Sequence, residues 1–142
     1  MKAENEMEIK FPGKSVNEGF ARVSVAAFVS QLDPTLEELT EIKTAVSEAV
    51  TNCIVHGYGD RIGTVHIKVK LIGNKVRITV RDSGAGIENV EQAMQPCFTT
   101  GTEERAGMGF TIMQSFSDKL SVRSTVGKGT SVTMEKTIVR RV

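Results

Sequence analysis

Three polar residues recur at intervals of four near the middle of the chain: Glu48, Asn52 and His56. On a helix such residues lie one above the other, so a carboxylate, an amide and an imidazole would form one polar strip. An amide oxygen is a suitable hard ligand for Mg²⁺, and a carboxylate one turn away could accept a proton from an attacking hydroxyl. A solvated helix face is the simpler interpretation of this strip taken alone, because polar triples at this spacing are common.

A second group, Asp82-Ser83-Gly84-Ala85-Gly86, directly follows a predicted strand. Glycines let the backbone turn sharply and approach a flat ligand. An aspartate at the strand end could accept a hydrogen bond from an exocyclic amine such as that of adenine. An ordinary Asp-Ser-Gly turn is the alternative, and these residues alone do not exclude it.

The third group is the segment RAGMGF, from Arg105 to Phe110, where an irregular loop meets a predicted helix. Free N–H groups at a helix N-terminus favour phosphate oxygens, and paired glycines permit close approach. Arg105 could reach a terminal phosphate. One Gly-x-Gly is a weak signal, and the segment is neither a dinucleotide fingerprint after a strand nor a phosphate loop ending in GK[ST].

Hydrophobic periodicity predicts the elements that must position these residues. The expected order is a strand, two helices, two strands, a glycine-bearing loop, a helix from about residue 110, and two strands. Apart from that last helix, the approximate bounds are residues 7–11, 16–32, 35–56, 64–71, 75–81, 96–109, 120–125 and 130–138. This order fits an α+β two-layer sandwich, in which a mixed, mostly antiparallel sheet is covered on one face by helices.

Each of the first two helices has a predicted core face. On the first helix this face is Phe20, Val23 and Ala27, which would leave Arg22 exposed. The second helix is predicted to begin at a capping box between Thr35 and Glu38. Its stripe steps by three or four residues and consists of Leu39, Ile42, Val46, Ala49 and Cys53. Cys53 is therefore expected to be a buried thiol.

Length and composition predict one domain, residues 1–142, with ordinary hydrophobic (39%) and charged (25%) fractions. The net charge of +1 does not favour a direct role in binding nucleic acid. No long apolar stretch or export signal is present, so a cytoplasmic location without membrane attachment is expected by default. The cysteines and histidines have no metal-ligand spacing.

Four segments in order resemble the GHKL ATPase/kinase superfamily, which includes histidine kinases and DNA gyrase. They are "SEAVTNCIVHGY", "RDSGAGI", "RAGMGF" and "GKGTSV". The longer runs "NEGFARVSVAAFVSQLDPTLEELTEIKTAVSEAVTN" and "PCFTTGTEERAGMGFTIM" are similar to the anti-sigma F family, the sporulation branch of serine kinases that hold a sigma factor. The resemblance covers about residues 7–136 and implies the two-layer ATP-binding fold of the superfamily.

The resemblance implies roles for the residues of the first two groups. Glu48 matches the general base that activates a substrate serine, and Asn52 matches the Mg²⁺ ligand. Asp82 matches the carboxylate that binds adenine, with Gly84 and Gly86 beside it.

Further matches concern the phosphates and the protein partners. A flexible ATP lid at about residues 96–109 and the phosphate site would include Thr99, Thr100, Arg105, Gly107 and Gly109. Thr130 matches a threonine near adenine, and Arg22 matches an exposed arginine that contacts partner proteins. The family forms homodimers through its N-terminal part, binds sigma F in the presence of ATP, and phosphorylates an anti-anti-sigma protein on serine.

The chain departs from the family pattern in its lid, where Gly101-Thr102 replaces the usual Lys-Pro and one residue is missing. A lysine contact to phosphate is therefore not carried over. Two alternatives remain open: the related stress-response branch, which holds sigma B, and a non-catalytic module that sequesters a sigma factor when ATP is bound. The carboxylate at Glu48 favours phosphoryl transfer over the second of these.

Overall fold

The computed structural model describes residues 4–94 and 104–139, except for the side chains of 104–108. Its strands are β1 (Asn5–Pro12), β2 (Thr64–Ile72), β3 (Lys75–Asp82), β4 (Lys119–Thr125) and β5 (Gly129–Thr137). Its α-helices are α1 (Asn17–Val29), α2 (Leu36–Asn52), α3 (Val90–Ala93) and α4 (Glu104–Phe116). The predicted order of elements is confirmed, and the short helix α3 is an addition to it.

The strands form one sheet in the order β1-β2-β3-β5-β4. A mixed, mostly antiparallel sheet was expected, but every pairing among the described strands is antiparallel. Short turns join β2 to β3 and β4 to β5, and strands joined in this way must run in opposite directions. The first of these turns is the predicted Gly73-Asn74, in which Gly73 has a φ of 60°.

Helices α1, α2 and α4 pack over one face of the sheet and share its core. The sheet contributes alternate buried residues, among them Val65, Ile67, Val69, Val76, Ile78, Val80, Val132 and Met134. The predicted stripe of α2 is confirmed as buried from Ile42 to Cys53, with Leu39 half-buried. The two-layer α+β fold is thus confirmed. Within the described residues, no helix is long and apolar enough to span a membrane.

Helix α2 begins at the predicted capping box. The Glu38 N–H donates to Thr35 Oγ1 at 3.0 Å, and the Thr35 N–H donates to Glu38 Oε1 at 2.8 Å. After Asn52 the helix continues as a π-helical segment, Cys53–Tyr58. The predicted helix end near Gly57 is therefore close to the observed one, but the last turn is wider than an α-helix.

The predicted core face of α1 is wrong. Phe20 and Val23 are 53% and 58% exposed, whereas Ala21, Val25 and Val29 are fully buried. Helix α1 packs against α2, and a small residue such as Ala21 allows two helices to approach closely. Arg22 is exposed as expected.

Helix α4 begins at Glu104, earlier than the predicted start near Phe110. Arg105, Gly107 and Gly109 therefore lie within its first turns rather than in a loop. The residues Glu, Arg, Ala and Met that precede Gly109 are good helix formers, which favours this earlier start despite the glycines. The remainder of the predicted lid, including Thr99 and Thr100, lies outside the described residues.

Candidate functional site

A cavity of about 840 Å³ opens between the end of α2 with its π-helical segment, the end of β3 and the start of β5. This volume is typical of small-molecule sites. Its wall combines apolar side chains with polar ones, and the polar residues include Asn52, His56, Asp82, Glu88 and Thr130. The cavity thus brings together residues from all three predicted groups or their immediate neighbours.

Asp82 ends strand β3 and is a buried carboxylate, 6% exposed. Its Oδ1 accepts the Gly84 N–H at 2.9 Å. Cys53 lines the same cavity, and burial together with the Asp82 charge raises the pKa of its thiol well above its usual value.

The turn after Asp82 depends on close backbone approach. The Ala85 N–H donates to the Gly57 carbonyl at 2.8 Å, and a Cβ on Gly84 would overlap that same carbonyl. Gly86 has a φ of 79°, in the left-handed region that favours glycine. These contacts join the π-helical segment to the turn and form one corner of the cavity.

Thr130 lies opposite Asp82 in the β3–β5 register and also lines the cavity. Its Oγ1 shares a hydrogen bond with Ser124 Oγ at 2.8 Å, and Ser124 Oγ accepts the Ile87 N–H at 2.6 Å. The hydroxyl pair therefore ties the glycine-rich turn to the β4–β5 hairpin. The register places Thr130 beside Asp82, and its role near adenine stays a prediction.

Asn52 presents a polar group that has no partner among the residues that the structure describes. Its Nδ2 is buried and forms no hydrogen bond with them, although the residue lines the cavity. A Cβ on Gly109 would lie 3.0 Å from Asn52 Oδ1, so glycine lets α4 approach this amide. Buried polar atoms are nearly always paired, so a ligand at this end of the cavity would satisfy the amide.

Mg²⁺ fits this donor set only as an ion shared with a ligand. Within residues 4–94 and 104–139, no group of three or more His, Cys, Asp or Glu side chains could hold a metal. Mg²⁺ commonly binds one or two protein groups and otherwise takes water and phosphate oxygens. Asn52 is therefore a sufficient anchor if phosphates occupy the cavity beside it.

Glu48 is buried, at 4% exposure, one helical turn before Asn52. It is not on an exposed polar strip, so the solvated-face interpretation is wrong for this residue. It is also not part of the cavity wall, whereas Asn52 and His56 are. The structure therefore places the predicted base next to the cavity rather than in it.

The relatives of this chain agree with the geometry. Residues 14–136 match the family described as a histidine kinase-like ATPase domain. The chain is 62% identical over 139 residues to the anti-sigma F factor of Thermoanaerobacter sp. (strain X514), covering 97% of each chain. It is 61% identical over 141 residues to that of Caldanaerobacter subterraneus subsp. tengcongensis, covering 99% of each. The chain belongs to the anti-sigma F factor family.

Solved structures show the fold that this family membership implies. The RsbU and RsbW domains of Rv1364c from Mycobacterium tuberculosis align with a TM-score of 0.69 at 17% identity, over 96% of this chain and 32% of that one. The catalytic domain of histidine kinase ThkA aligns with a TM-score of 0.59 at 20% identity, over 93% of this chain and 96% of that one. At these identities the likeness concerns the fold alone.

Tyr58 supports the turn beside the cavity, and the sequence did not single it out. Its hydroxyl donates to the Thr64 carbonyl at 2.6 Å and accepts the Ser83 N–H at 2.7 Å. Arg61 lies over its ring, 5.2 Å from the centroid. Tyr58 thereby fixes the start of β2 and the residue after Asp82. The only sequence signal for Tyr58 was its position directly after Gly57, at the end of the motif "SEAVTNCIVHGY".

Some predicted residues of the anti-sigma F factor pattern lie away from the cavity or cannot be placed. Thr99 and Thr100 fall outside the described residues, and for Arg105 and Gly107 the structure gives the α4 backbone only. Arg22 lies on the exposed side of α1 and is not part of the cavity wall.

Proposed function

We propose that this chain is an ATP-dependent anti-sigma factor with protein-serine kinase activity. It binds a sigma factor of the sigma F type when ATP is present, and it phosphorylates an anti-anti-sigma protein on serine. The observation that carries the proposal is the buried Asp82 carboxylate in the wall of a cavity of nucleotide size. The names of the relatives supply the sigma-factor part of it.

Adenine fits the end of the cavity beside Asp82. Ile87, Phe110 and Val132 offer apolar contacts to a flat base. Asp82 accepts the exocyclic amine, and Thr130 lies next to it in the sheet. Guanine presents a carbonyl oxygen at the corresponding position, and two acceptors cannot bond. The cavity therefore favours ATP over GTP.

Phosphate groups fit the part of the cavity beside Asn52, where Gly109 of α4 comes close to the amide. Mg²⁺ held at Asn52 would neutralise phosphate charge and orient the transferring group. The free N–H groups in the first turn of α4, toward Gly107, and the Arg105 guanidinium stabilise negative charge there, while Gly109 allows the close approach to Asn52. The family resemblance assigns Thr99 and Thr100 to the ATP lid. Glu48 takes the serine proton as the serine oxygen attacks the γ-phosphorus and the β–γ bridging oxygen leaves with ADP.

Partner binding is assigned to the outer side of α1. Arg22 is exposed there beside Val16, Phe20 and Val23, which are 81%, 53% and 58% exposed. An apolar stripe with an adjacent cation is a common composition for a protein interface. The same N-terminal part forms the proposed homodimer, whose mass light scattering would measure.

A non-catalytic module that sequesters a sigma factor with ATP is the second candidate function. The observation that favours it is the position of Glu48 outside the cavity wall. In that case ATP and sigma-factor binding would be intact, but no phosphoserine would form. The stress-response branch, which holds sigma B, differs from the first proposal only in partner choice.

One experiment separates these functions. The purified chain is mixed with γ-labelled ATP, Mg²⁺ and a candidate anti-anti-sigma protein, and the products are hydrolysed and analysed for phosphoserine. Label on serine supports the kinase. Absence of label together with ATP-dependent capture of the sigma factor would support the non-catalytic module. Pull-downs with purified sigma F and sigma B proteins decide between the two branches.

A further inference from the structure

A shallow depression of about 120 Å³ lies on the face of the sheet that the helices leave uncovered. Four of its six lining side chains are lysine or arginine and none is acidic, although the whole chain has 18 basic and 17 acidic residues. The six come from β2 and β3: His66, Lys68, Lys70, Arg77, Thr79 and Arg81. The nucleotide cavity is on the helix side of the sheet, so the proposed function does not use this basic cluster.

Thr79 is the short side chain at the centre of the cluster. In the β2–β3 register it lies opposite Lys68, and Arg77 and Arg81 are two residues away on its own strand. Residues two apart on a strand lie on the same face, about 7 Å from each other. Thr79 Oγ1 shares a hydrogen bond with Thr133 Oγ1 at 3.3 Å. Two hydroxyls that share one bond retain a second O–H, so this pair can still donate to a ligand.

Carboxylates at the two sides of the depression hold two of its cations. Glu8 of β1 forms an ion pair with Lys68 at 3.3 Å. Glu135 of β5 accepts a hydrogen bond from Arg77 Nε at 2.7 Å. A guanidinium has five N–H donors, so the two terminal nitrogens of Arg77 keep donor capacity beyond this bond.

The other two cations have no such carboxylate. Arg81 Nη2 donates to His66 Nδ1 at 2.6 Å, since a guanidinium cannot accept, and His66 Nε2 lies 3.3 Å from Glu8 Oε2. In the part of the chain that the structure describes, no carboxylate forms an ion pair with Arg81 or Lys70, although Glu6 lies opposite Lys70 in the register. The depression thus has more positive charge and more donors than its own acceptors can satisfy.

We propose that this depression is a binding site for a dianionic phosphoryl group, either free phosphate or a phosphorylated side chain. A phosphoryl group offers three strong acceptor oxygens and close to two negative charges, and guanidinium groups match its geometry with paired N–H donors. The volume equals that of about four water molecules, which suits one such group and is too small for a nucleotide. No lining residue is apolar or is Phe, Tyr or Trp, so lipid chains and stacked bases have no contact here.

The test is a titration of the ¹⁵N-labelled chain with inorganic phosphate, followed by NMR at about pH 8, where phosphate is mostly dianionic. Chloride keeps the ionic strength constant at about 0.1 M, which limits the reach of distant charges to about 10 Å. Saturable shifts should centre on the amides of β2 and β3 around Thr79. A parallel titration with N-acetyl-O-phosphoserine amide identifies the source, because tighter binding of this probe indicates a phosphorylated side chain and tighter binding of phosphate indicates the free ion.

Variants separate a specific site from general attraction by charge. Lys70→Gln and Arg81→Gln should each weaken phosphate binding by about three- to tenfold. Lys10→Gln removes the same charge from an exposed position of β1 that does not line the depression, and its affinity should stay within about twofold of the parent. Thr79→Val keeps the shape and the charge but removes the central hydroxyl, so it should weaken binding by about threefold or more. Unchanged amide shifts elsewhere in the spectrum verify that each variant is folded.

Three outcomes would overturn the proposal. The first is the absence of saturable shifts in β2 and β3. The second is that acetate, a planar monoanion, gives the same shifts with the same affinity, since the site would then not select a phosphoryl group. The third is that Lys10→Gln weakens binding as much as Lys70→Gln while Thr79→Val changes nothing, which would mean diffuse attraction. None of these results bears on the nucleotide cavity, so the proposed function stands or falls separately.

Discussion

Asp82 is a buried carboxylate at the end of β3, where the other buried side chains of the strand are apolar. A charge costs free energy in such surroundings. Such a group is tolerated when it is hydrogen-bonded, and the Gly84 N–H supplies one such bond. Its remaining acceptor capacity lies at a cavity rather than at bulk solvent. A ligand that donates a hydrogen bond therefore gains more here than one that only accepts.

The first prediction concerns nucleotide choice at Asp82. ATP and ADP should bind and GTP should bind much more weakly, because a carboxylate repels the guanine carbonyl. Asp82→Asn keeps the shape but removes the charge, and it should lose about 1.5–3 kcal/mol, or about ten- to a hundredfold in ATP affinity. Calorimetry or fluorescent-nucleotide competition measures this. Equal binding of ATP and GTP by the parent chain would disprove adenine recognition by Asp82.

The second prediction separates Glu48 from Asn52, which are one helical turn apart. Glu48→Gln removes the proton acceptor and should slow phosphoryl transfer by about 10²- to 10⁴-fold. Nucleotide binding and ATP-dependent sigma binding should survive, since neither needs a base. Asn52→Ala should instead weaken Mg·ATP binding itself.

The two variants serve as controls for each other. Single-turnover transfer of label gives the rate, and calorimetry gives the affinity for Mg·ATP. A Glu48→Gln protein that phosphorylates its partner at nearly the parental rate would remove Glu48 as the base. Intact Mg·ATP binding by Asn52→Ala would remove Asn52 as the metal ligand.

The limits of sequence reasoning at the residue scale are visible at Cys53 and Tyr58. Asp82, Asn52 and Thr130 were predicted as site residues, because each lies in one of four segments that follow the order of the superfamily motifs. Cys53 was predicted only as buried, since helical periodicity gives burial but does not show that the Asp82 charge would raise the pKa of its thiol. Tyr58 was missed because its two hydrogen bonds join backbone groups that are distant in sequence, one at the start of β2 and one directly after β3.

At the scale of elements, cross-strand pairs stabilise the uncovered face of the sheet. Arg77 on β3 and Glu135 on β5 are opposite each other in the register, and Arg77 Nε donates to Glu135 Oε2 at 2.7 Å. This hydrogen bond lowers the pKa of Glu135 below its usual value. A carboxyl with a lowered pKa in the folded state stabilises the fold above its unfolded pKa, and the stabilisation disappears as the pH falls through the folded pKa.

The third prediction applies this sign to stability. Glu135→Gln should lower the free energy of unfolding by about 0.2–1 kcal/mol at pH 7, because the pair is partly exposed to solvent. The difference from the parent should shrink as the pH falls through the lowered folded-state pKa of Glu135, because the protonated carboxyl is neutral like glutamine. Urea denaturation at pH 7 and along a series of acidic pH values measures it. Glu6→Gln, an exposed change on edge strand β1, is the control, and a loss at pH 7 that persists unchanged in acid would contradict the prediction.

Helix α1 shows which part of an element can be read from the sequence. Its existence and bounds were predicted correctly, but its buried face was not. Its own apolar side chains lie on several sides of the helix, so the sequence does not single out one face. The larger Phe20 and Val23 suggested a core face. The structure instead buries Ala21 and Val25 against α2. The start of α4 was misplaced for a related reason, since Gly107 and Gly109 suggested a loop although their neighbours favour a helix.

At the scale of the whole molecule, the nucleotide cavity and the outer side of α1 are separate surfaces of one sandwich. The cavity is built from the end of α2, its π-helical segment, the turn after β3 and the start of β5. The exposed stripe of α1 contributes nothing to its wall. A change on this stripe should therefore affect partner proteins without changing nucleotide affinity.

The last prediction tests this separation at Arg22. Arg22→Glu reverses a charge on an exposed helix surface, so it should not disturb the core or the cavity. It should weaken binding of both the sigma factor and the anti-anti-sigma protein by about tenfold or more, in the range of a moderate interface contact. Affinity for ATP should stay within about twofold of the parent, because Arg22 is not part of the cavity wall and effects at independent sites do not influence each other.

Arg123→Glu makes the same reversal at an exposed position of β4 and is the matched control. Surface plasmon resonance with immobilised partner, at fixed ATP and salt, measures both variants together. If Arg22→Glu binds both partners as the parent does, α1 is not the docking surface. If Arg123→Glu loses as much as Arg22→Glu, net charge rather than a specific contact governs the association.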